Sequence, residues 1–243
     1  MSNLTGVDFS HHQSKPDCMK LKAAGIVFGI VKAGEVLVRK PNKPLYYDPM
    51  HDRNIIKLQE AGIITGDYYY FHPSAGVSVQ ARHYVEIYKR MKPNLPPVID
   101  VEDRDGMKPA DVRTQLLAFI SRLQDDLRVA PIVYSRNGFL VNECGDPDWP
   151  DGVLFWIARY ASKIGDLSPK IKDKVIMWQY TDKLKIPGCP IMDGNYWLRS
   201  EDELQKLAGK KPIPILGTAT AHIAPLALGK KAREWLDKII NGV

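Results

Sequence analysis

Two stretches of this chain are apolar without a break: Ile26-Val27-Phe28-Gly29-Ile30-Val31 and Val98-Ile99. A strand with one wet face alternates apolar and polar residues. A continuous apolar strand needs cover on both faces, as in a parallel sheet flanked by helices or a barrel ringed by them. Six further runs read as strands, giving residues 6–10, 27–33, 64–71, 97–102, 131–134, 154–159, 175–180 and 192–196. Amphipathic segments separate them. Residues 17–24 and 54–61 predict short helices, the second stopped by Gly62. Residues 77–91 and 110–127 predict longer ones; in the latter Val112, Leu116, Phe119, Ile120 and Leu123 recur at helical spacing behind Pro109.

About eight strands alternating with helices in roughly 200 residues predict an α/β chain folded as an irregular, flattened (β/α) TIM-like barrel, because several helices are too short to be regular. An open doubly wound sheet is the alternative. It is disfavoured because no G-x-G-x-x-G or phosphate-binding loop follows any strand. The barrel is expected to occupy residues 1–208. Residues 209–229 hold Pro212, Pro214 and Pro225 and predict a linker. Residues 230–241 predict a final helix with Ala232, Trp235, Leu236, Ile239 and Ile240 on one stripe, so 209–243 forms a short basic helical extension.

The net charge of +6 is uneven: from Gly209 onward six Lys or Arg face two acids, leaving the body nearly neutral. Attraction to anionic surfaces is therefore expected in the tail. That stripe reads either as a face docked on the body or as one that binds a membrane or partner. Cys18, Cys144 and Cys189 are too few and too scattered for a disulfide framework or a zinc knuckle. The first residues lack the basic and apolar regions of a secretory leader, and no apolar run is long enough for a transmembrane segment. Synthesis in a cytoplasm is expected, with another route to any target outside it. No nucleic acid partner is expected.

In a barrel of this kind the chemistry sits where strands end. The predicted ends carry Asp8; Lys32 and Glu35; Tyr68, Tyr70 and His72; Asp100 and Glu102; Tyr134; Arg159 and Tyr160; Gln179; and Asp193. Four of these acids, Asp8, Asp100, Glu102 and Asp193, converge on one mouth. Asp100 and Glu102, two apart on a strand, share a face. Each charge raises the other's pKa and burial adds to it, so one carboxyl can stay protonated while the other is ionised. Glycosidic cleavage needs that division of labour. Alone, a strand ending D-x-E is more often a cap or an ion pair; the matching acids on other strands tip the balance. A metal-dependent amidase using His11, His12 and His72 is disfavoured. Adjacent histidines in extended chain point apart, and no H-E-x-x-H occurs.

These residues resemble a known family. Gly6-Val7-Asp8-Phe9-Ser10 with Gln13, Val31-Lys32-Ala33-Gly34-Glu35, Gly66-Asp67-Tyr68-Tyr69-Tyr70-Phe71, Ile99-Asp100-Val101-Glu102, Val133-Tyr134-Ser135, Trp156-Ile157-Ala158-Arg159-Tyr160, Trp178-Gln179-Tyr180 and Met192-Asp193-Gly194-Asn195 stand in the order seen in glycoside hydrolase family 25, the Chalaropsis-type lysozymes, many of them phage endolysins. The resemblance covers residues 5–200. It implies an N-acetylmuramidase that cuts the β-1,4 bond between N-acetylmuramic acid and N-acetylglucosamine in bacterial peptidoglycan, without metal or cofactor. By motif position Glu102 would be the general acid, Asp100 its partner, and Asp8 and Asp193 supporting acids. Tyr68, Tyr134 and Trp178 or Gln179 would line the sugar subsites, with Lys32, Glu35, Tyr70 and Tyr160 beside them. Gly34 stands where the family often has Thr or Ser, and Val36 where Gly often follows the Glu. A catalytically silent glycan-binding module is the alternative, against which the presence of all four acids weighs. A phage endolysin released by a holin, or a lysin carried on a virion, would both suit a chain with no leader.

Overall fold

The computed structural model describes residues 4–42 and 44–209. In chain order the elements are β1 (Leu4–Phe9), α1 (Cys18–Ala23), β2 (Ile26–Val36), β3 (Leu45–Tyr47), α2 (His51–Glu60), β4 (Ile64–Tyr70), α3 (Val77–Met91), β5 (Val98–Asp100), α4 (Pro109–Leu127), β6 (Ile132–Ser135), α5 (Asn137–Asn142), β7 (Leu154–Ala158), β8 (Val175–Leu184), β9 (Met192–Trp197) and α6 (Glu201–Leu207). The eight predicted strands are all there. The linker and final helix expected over 209–243 lie, apart from Gly209, outside the described residues.

Eight strands close on themselves in the order β1-β9-β8-β7-β6-β5-β4-β2, with β1 paired back to β2. The closure excludes the open sheet. β3 hangs on β2 as a short antiparallel addition. The irregularity lies in β9, which runs antiparallel to both β8 and β1. No helix separates β8 from β9, so the chain turns straight back.

Alternation along each strand splits the apolar residues between two layers. Phe28, Ile30, Ile64, Val98, Ile132, Trp156, Met177 and Trp197 fill one cluster, which Leu204 and Ala208 join at its base. This is the barrel interior, and α6 stoppers the end opposite the mouth. The outward residues pack against helices. Tyr69, Phe71, Ile99, Val133 and Phe155 meet the expected stripe of α4, Val112, Leu116, Phe119, Ile120 and Leu123. Val7, Phe9 and Val31 meet Leu21, Ile55 and Leu58 of α1 and α2.

Local chemistry sets the helix ends. Asp17 caps α1 by accepting from the Met19 and Lys20 amides, and Gly62 follows α2 with a positive φ of 67°. Among the described residues no helix is long and apolar enough to cross a membrane.

Candidate active site

At the mouth, Asp8, Tyr68, Asp100, Glu102, Tyr134, Trp156, Tyr160, Gln179 and Asp193 line a polar pocket of about 150 Å³. All four acids from the sequence are in it. They reach it by different routes. Asp8 and Asp100 stand near or at the ends of β1 and β5. Glu102 lies two residues past β5, in the following loop. Asp193 is near the start of its strand, not the end, and reaches the mouth only because β9 is antiparallel. The β1–β9 register sets Asp193 directly opposite Asp8.

Fixed amides hold Asp8 from below. Asn195 Nδ2 and Gln179 Nε2 both donate to Asp8 Oδ2, at 2.7 and 2.9 Å. Each amide is oriented in turn. Trp156 Nε1 donates to Asn195 Oδ1 at 2.8 Å, and the hydroxyls of Tyr134 and Tyr160 donate to Gln179 Oε1 at 2.7 and 3.1 Å. Burial and the facing charge of Asp193 raise the Asp8 pKa well above the usual carboxylate range, against the two amides. Asp193 is raised to about 6, mainly by burial, while its hydrogen bond from Asp8 restrains the rise. The hydrogen bond between the two carboxyls favours the protonated form of Asp8 and the ionised form of Asp193.

Asp100 and Glu102 form the second pair. Both are raised, first of all by burial. The negative charge of Glu102 raises Asp100 further, whereas Arg136 and a hydrogen bond from Asp100 pull Glu102 back. The hydrogen bond between them favours the protonated form of Asp100 and the ionised form of Glu102. Asp100 Oδ1 is buried with no conventional hydrogen-bond partner among the described residues. An ionised carboxylate there would be costly; a neutral one is tolerated.

Lys32 bears on both carboxyls as a nearby positive charge. It does not line the small pocket. Its Nζ is held by Glu35 Oε1 at 2.5 Å, Glu35 Oε2 meets His72 Nε2 at 3.2 Å, and His72 Nδ1 meets Asp105 Oδ1 at 2.9 Å. Burial alone would raise Glu35, but the bonds from His72 and Lys32 outweigh it and hold it low. Burial alone would lower His72, and its two carboxylate partners raise it instead. Glu35, His72 and Asp105 line an adjoining cleft together with Tyr70, over whose ring Lys32 Nζ lies 5.5 Å from the centroid.

Of the other sequence candidates, Trp178 is not at the pocket. Its neighbour Gln179 points inward, so Trp178 points outward, against Tyr180 and Tyr196, and its Nε1 donates to the Arg159 carbonyl. His11 and His12 are not in extended chain. Ser10 and Gln13 form a capping box around a single helical turn that brings the two rings to 3.9 Å. His11 Nδ1 is held by Asp48 Oδ2 at 2.8 Å, far in role from His72. Among the described residues no group of three or more metal-ligating side chains is assembled.

Asn195, Trp156 and Asp105 shape the site, yet the sequence does not single them out for it, and His72, placed at the mouth, is given no partner there. Only Asn195 and Trp156 stand in the family motifs, and nothing in a lone Asn announces that it faces an Asp across an antiparallel ladder. Gly34 has a steric reason. A Cβ there would stand 2.3 Å from the Tyr46 carbonyl of β3, so the hairpin excludes the Thr or Ser often found at this position.

The family model for glycosyl hydrolases family 25 matches residues 7–189, about three quarters of the chain. The chain belongs to that family. It is a glycosidase of the lysozyme type, acting on peptidoglycan. It is similar to the uncharacterized protein YegX of Escherichia coli O157:H7, 28% identical over 224 residues, 86% of this chain and 75% of that protein. The lysozyme from Streptomyces coelicolor shares the fold at TM-score 0.74 and 22% identity, covering 86% of this chain and 98% of that one. The catalytic domain of endolysin ply40 from the Listeria monocytogenes bacteriophage P40 does so at TM-score 0.68 and 23% identity, covering 86% and 98%.

Proposed function

We propose that the chain is an N-acetylmuramidase in which Glu102 protonates the oxygen leaving N-acetylmuramic acid at the β-1,4 bond. The observation that carries this is the gathering of four carboxyls in one pocket, all with pKa values raised by burial. Before substrate enters, Asp100 holds the proton of its pair. An acetamido N–H donated to the orphan Asp100 Oδ1 favours the ionised form of Asp100, since a bond to the charged form lowers a carboxyl's pKa. The proton then passes to Glu102, which becomes the acid as the sugar arrives. Ionised Asp100 is left facing the acetamido group and the developing positive charge. Asp8 and Asp193 keep the far wall acidic. Tyr68, Tyr134 and Tyr160 give the sugar an aromatic, hydroxyl-bearing lining.

Mass spectrometry of borohydride-reduced digests tests this: muramidase action leaves N-acetylmuramitol at the new ends. N-acetylglucosaminitol in its place would overturn the reading. In Glu102→Gln, with the fold kept, release should fall by a factor of about 10²–10⁴, the usual worth of a positioned acid.

We also infer that the chain works as a phage lysin, made in a host cytoplasm and reaching the wall by holin-type release or on a virion. The likeness to endolysin ply40 supports this. Production inside bacteria should then lyse them only when a holin is supplied. The basic residues of 209–243 would add attraction to anionic envelope components. A chain truncated after Leu207 that binds walls equally well at low salt would refute that role.

A further inference from the structure

Beside the carboxyl pocket lies a larger cleft, of about 530 Å³, with none of the four acids in its walls. It opens between α5 and the loop that follows β7. Arg136 and Arg159 stand at its rim, and Phe139, Ile157 and Ile164 form its apolar floor. The two arginines come from neighbouring strand ends: Ser135 pairs with Ile157, and the residues just beyond reach the mouth side by side.

The cleft stands next to the pocket. Arg136 Nη2 reaches the Glu102 carbonyl at 3.5 Å, and Tyr160, the residue after Arg159, lines the carboxyl pocket. Each guanidinium has five N–H donors. Among the described residues Arg136 gives one nitrogen to that carbonyl, and Arg159 gives one to the Ile164 carbonyl at 3.1 Å. Both side chains are exposed and line the cleft.

We propose that this cleft binds the peptide arm of the wall polymer, a short peptide bearing free carboxylates, while the glycan to which it is attached lies across the carboxyl pocket. The proposal rests on the muramidase reading and deepens it, making the peptide-substituted strand the preferred substrate. Charge decides the assignment. Four acids line the catalytic pocket, which therefore repels a carboxylate-bearing substituent. The cleft beside it offers two guanidiniums, a group that can take a carboxylate through paired N–H donors, over an apolar floor. The cleft also holds two acids. Glu143 is engaged by Arg104 at 3.1 Å, and Asp166 offers a counter-charge to the ammonium of a diamino residue in the peptide.

The test uses the full chain and two substrates: intact peptidoglycan, and the same material stripped of peptide by an amidase. On intact strands kcat/KM for reducing-end release should be about tenfold higher, equal to about 1.4 kcal/mol. Arg159→Gln should cut the rate on intact strands and bring the ratio towards one. Asn142→Glu removes no protein hydrogen bond and adds a repelling charge to the cleft; it should do the same. Lys89→Gln, on the outer helix α3, controls for lost charge and should keep the full ratio. A second measurement avoids turnover. In the Glu102→Gln chain, a disaccharide bearing peptide should bind about tenfold tighter than the bare disaccharide. Adding Arg159→Gln should remove the difference. Muramidase action with equal rates on the two substrates, or equal losses on both in the variants, overturns the cleft proposal and leaves the muramidase reading standing. Absence of muramic acid ends from either substrate overturns both.

Discussion

Replacing Asn195 with leucine should damage the protein twice, through the same two hydrogen bonds. Asn195 is fully buried between Trp156, whose indole N–H it accepts at 2.8 Å, and Asp8, to which it donates at 2.7 Å. Leucine is nearly the same size, so no large cavity opens. What remains is a buried indole N–H with no acceptor and a buried carboxyl short of one donor. Each stranded group costs about 1–3 kcal/mol, and the added apolar burial offsets a little, so the net loss is about 2–5 kcal/mol. In a domain of this size that lowers Tm by roughly 5–15 °C. The second effect is on acidity. The amide bonds are what oppose burial and Asp193 at Asp8. With one gone, Asp8 keeps its proton to higher pH, and the acidic limb of the pH–rate profile moves upward. Asn195→Asp separates the two effects. It keeps an acceptor for Trp156 but sets a third carboxyl against Asp8. Burial and that neighbour would raise the new group's pKa above its unfolded value. Its destabilisation is then small below about pH 3, where it is protonated in both states, and grows as pH rises. Thermal melts across the pH range, alongside reducing-end assays, read both variants. A Tm loss under about 2 °C for Asn195→Leu would refute the energetic reasoning. Equal losses at low and neutral pH for Asn195→Asp would refute the electrostatic part.

Asp193→Asn should abolish any limb of the pH–rate profile near pH 6, where Asp193 titrates; a limb that persists there assigns it to another group. His72→Gln should loosen Glu35 and with it Lys32. The His72 pKa is raised in the fold, so its stabilisation is complete below the unfolded value of 6.5 and is lost as pH rises through the folded value. Glu35 is lowered, so its share is present above its unfolded 4.5 and lost below. The Tm penalty of the variant should therefore be largest between these limits and fade in alkali; a penalty that grows with pH would contradict the relay. Gly34→Ser drives a Cβ to 2.3 Å from the Tyr46 carbonyl, which is backbone and cannot swing away. It should cost about 1–3 kcal/mol in chemical denaturation, and an unchanged midpoint would show that β3 is free to move.

The barrel is legible in the sequence because its strands are apolar on both faces and its longest helices keep a clear stripe. The shorter pieces are hidden. β3 follows a stretch with Arg39, Lys40, Pro41, Asn42 and Pro44, whose composition reads as a loop. α5 has six residues and begins Asn137-Gly138, too short for periodicity to show. The direction of β9 does leave a signal in the chain. Only residues 185–191 separate β8 from β9, and they contain Pro187, Gly188 and Pro190. A parallel crossover needs a dozen residues or more, so a connection this short forces a turn back. The turn back is what brings Asp193 opposite Asp8, with Asn195 facing the same way.

Side-chain direction is where strand logic fails locally, and the site depends on the failures. In a regular strand, residues three apart point to opposite faces, so Lys32 and Glu35 should not meet. The β2–β4 ladder slips between Lys32 and Gly34, and past the slip Lys32 and Glu35 join across 2.5 Å. An extra residue on one strand re-aims every side chain beyond it. The residue left unpaired by the slip is Ala33, and next to it stands Gly34, where the close approach of β3 leaves no room for a Cβ. The departure from the usual family residue and the placement of Glu35 are thus one event: the hairpin requires the glycine, and the slip beside it hands Glu35 to Lys32 and His72. A second slip, between Gln179 and Thr181, lies just beyond the point where Gln179 has turned in to Asp8 and Trp178 out. The acids can be found by type, because burying a carboxylate near others is costly enough to signal function. Their supports cannot, because which of two adjacent residues faces the mouth is set by register, and register belongs to the whole barrel.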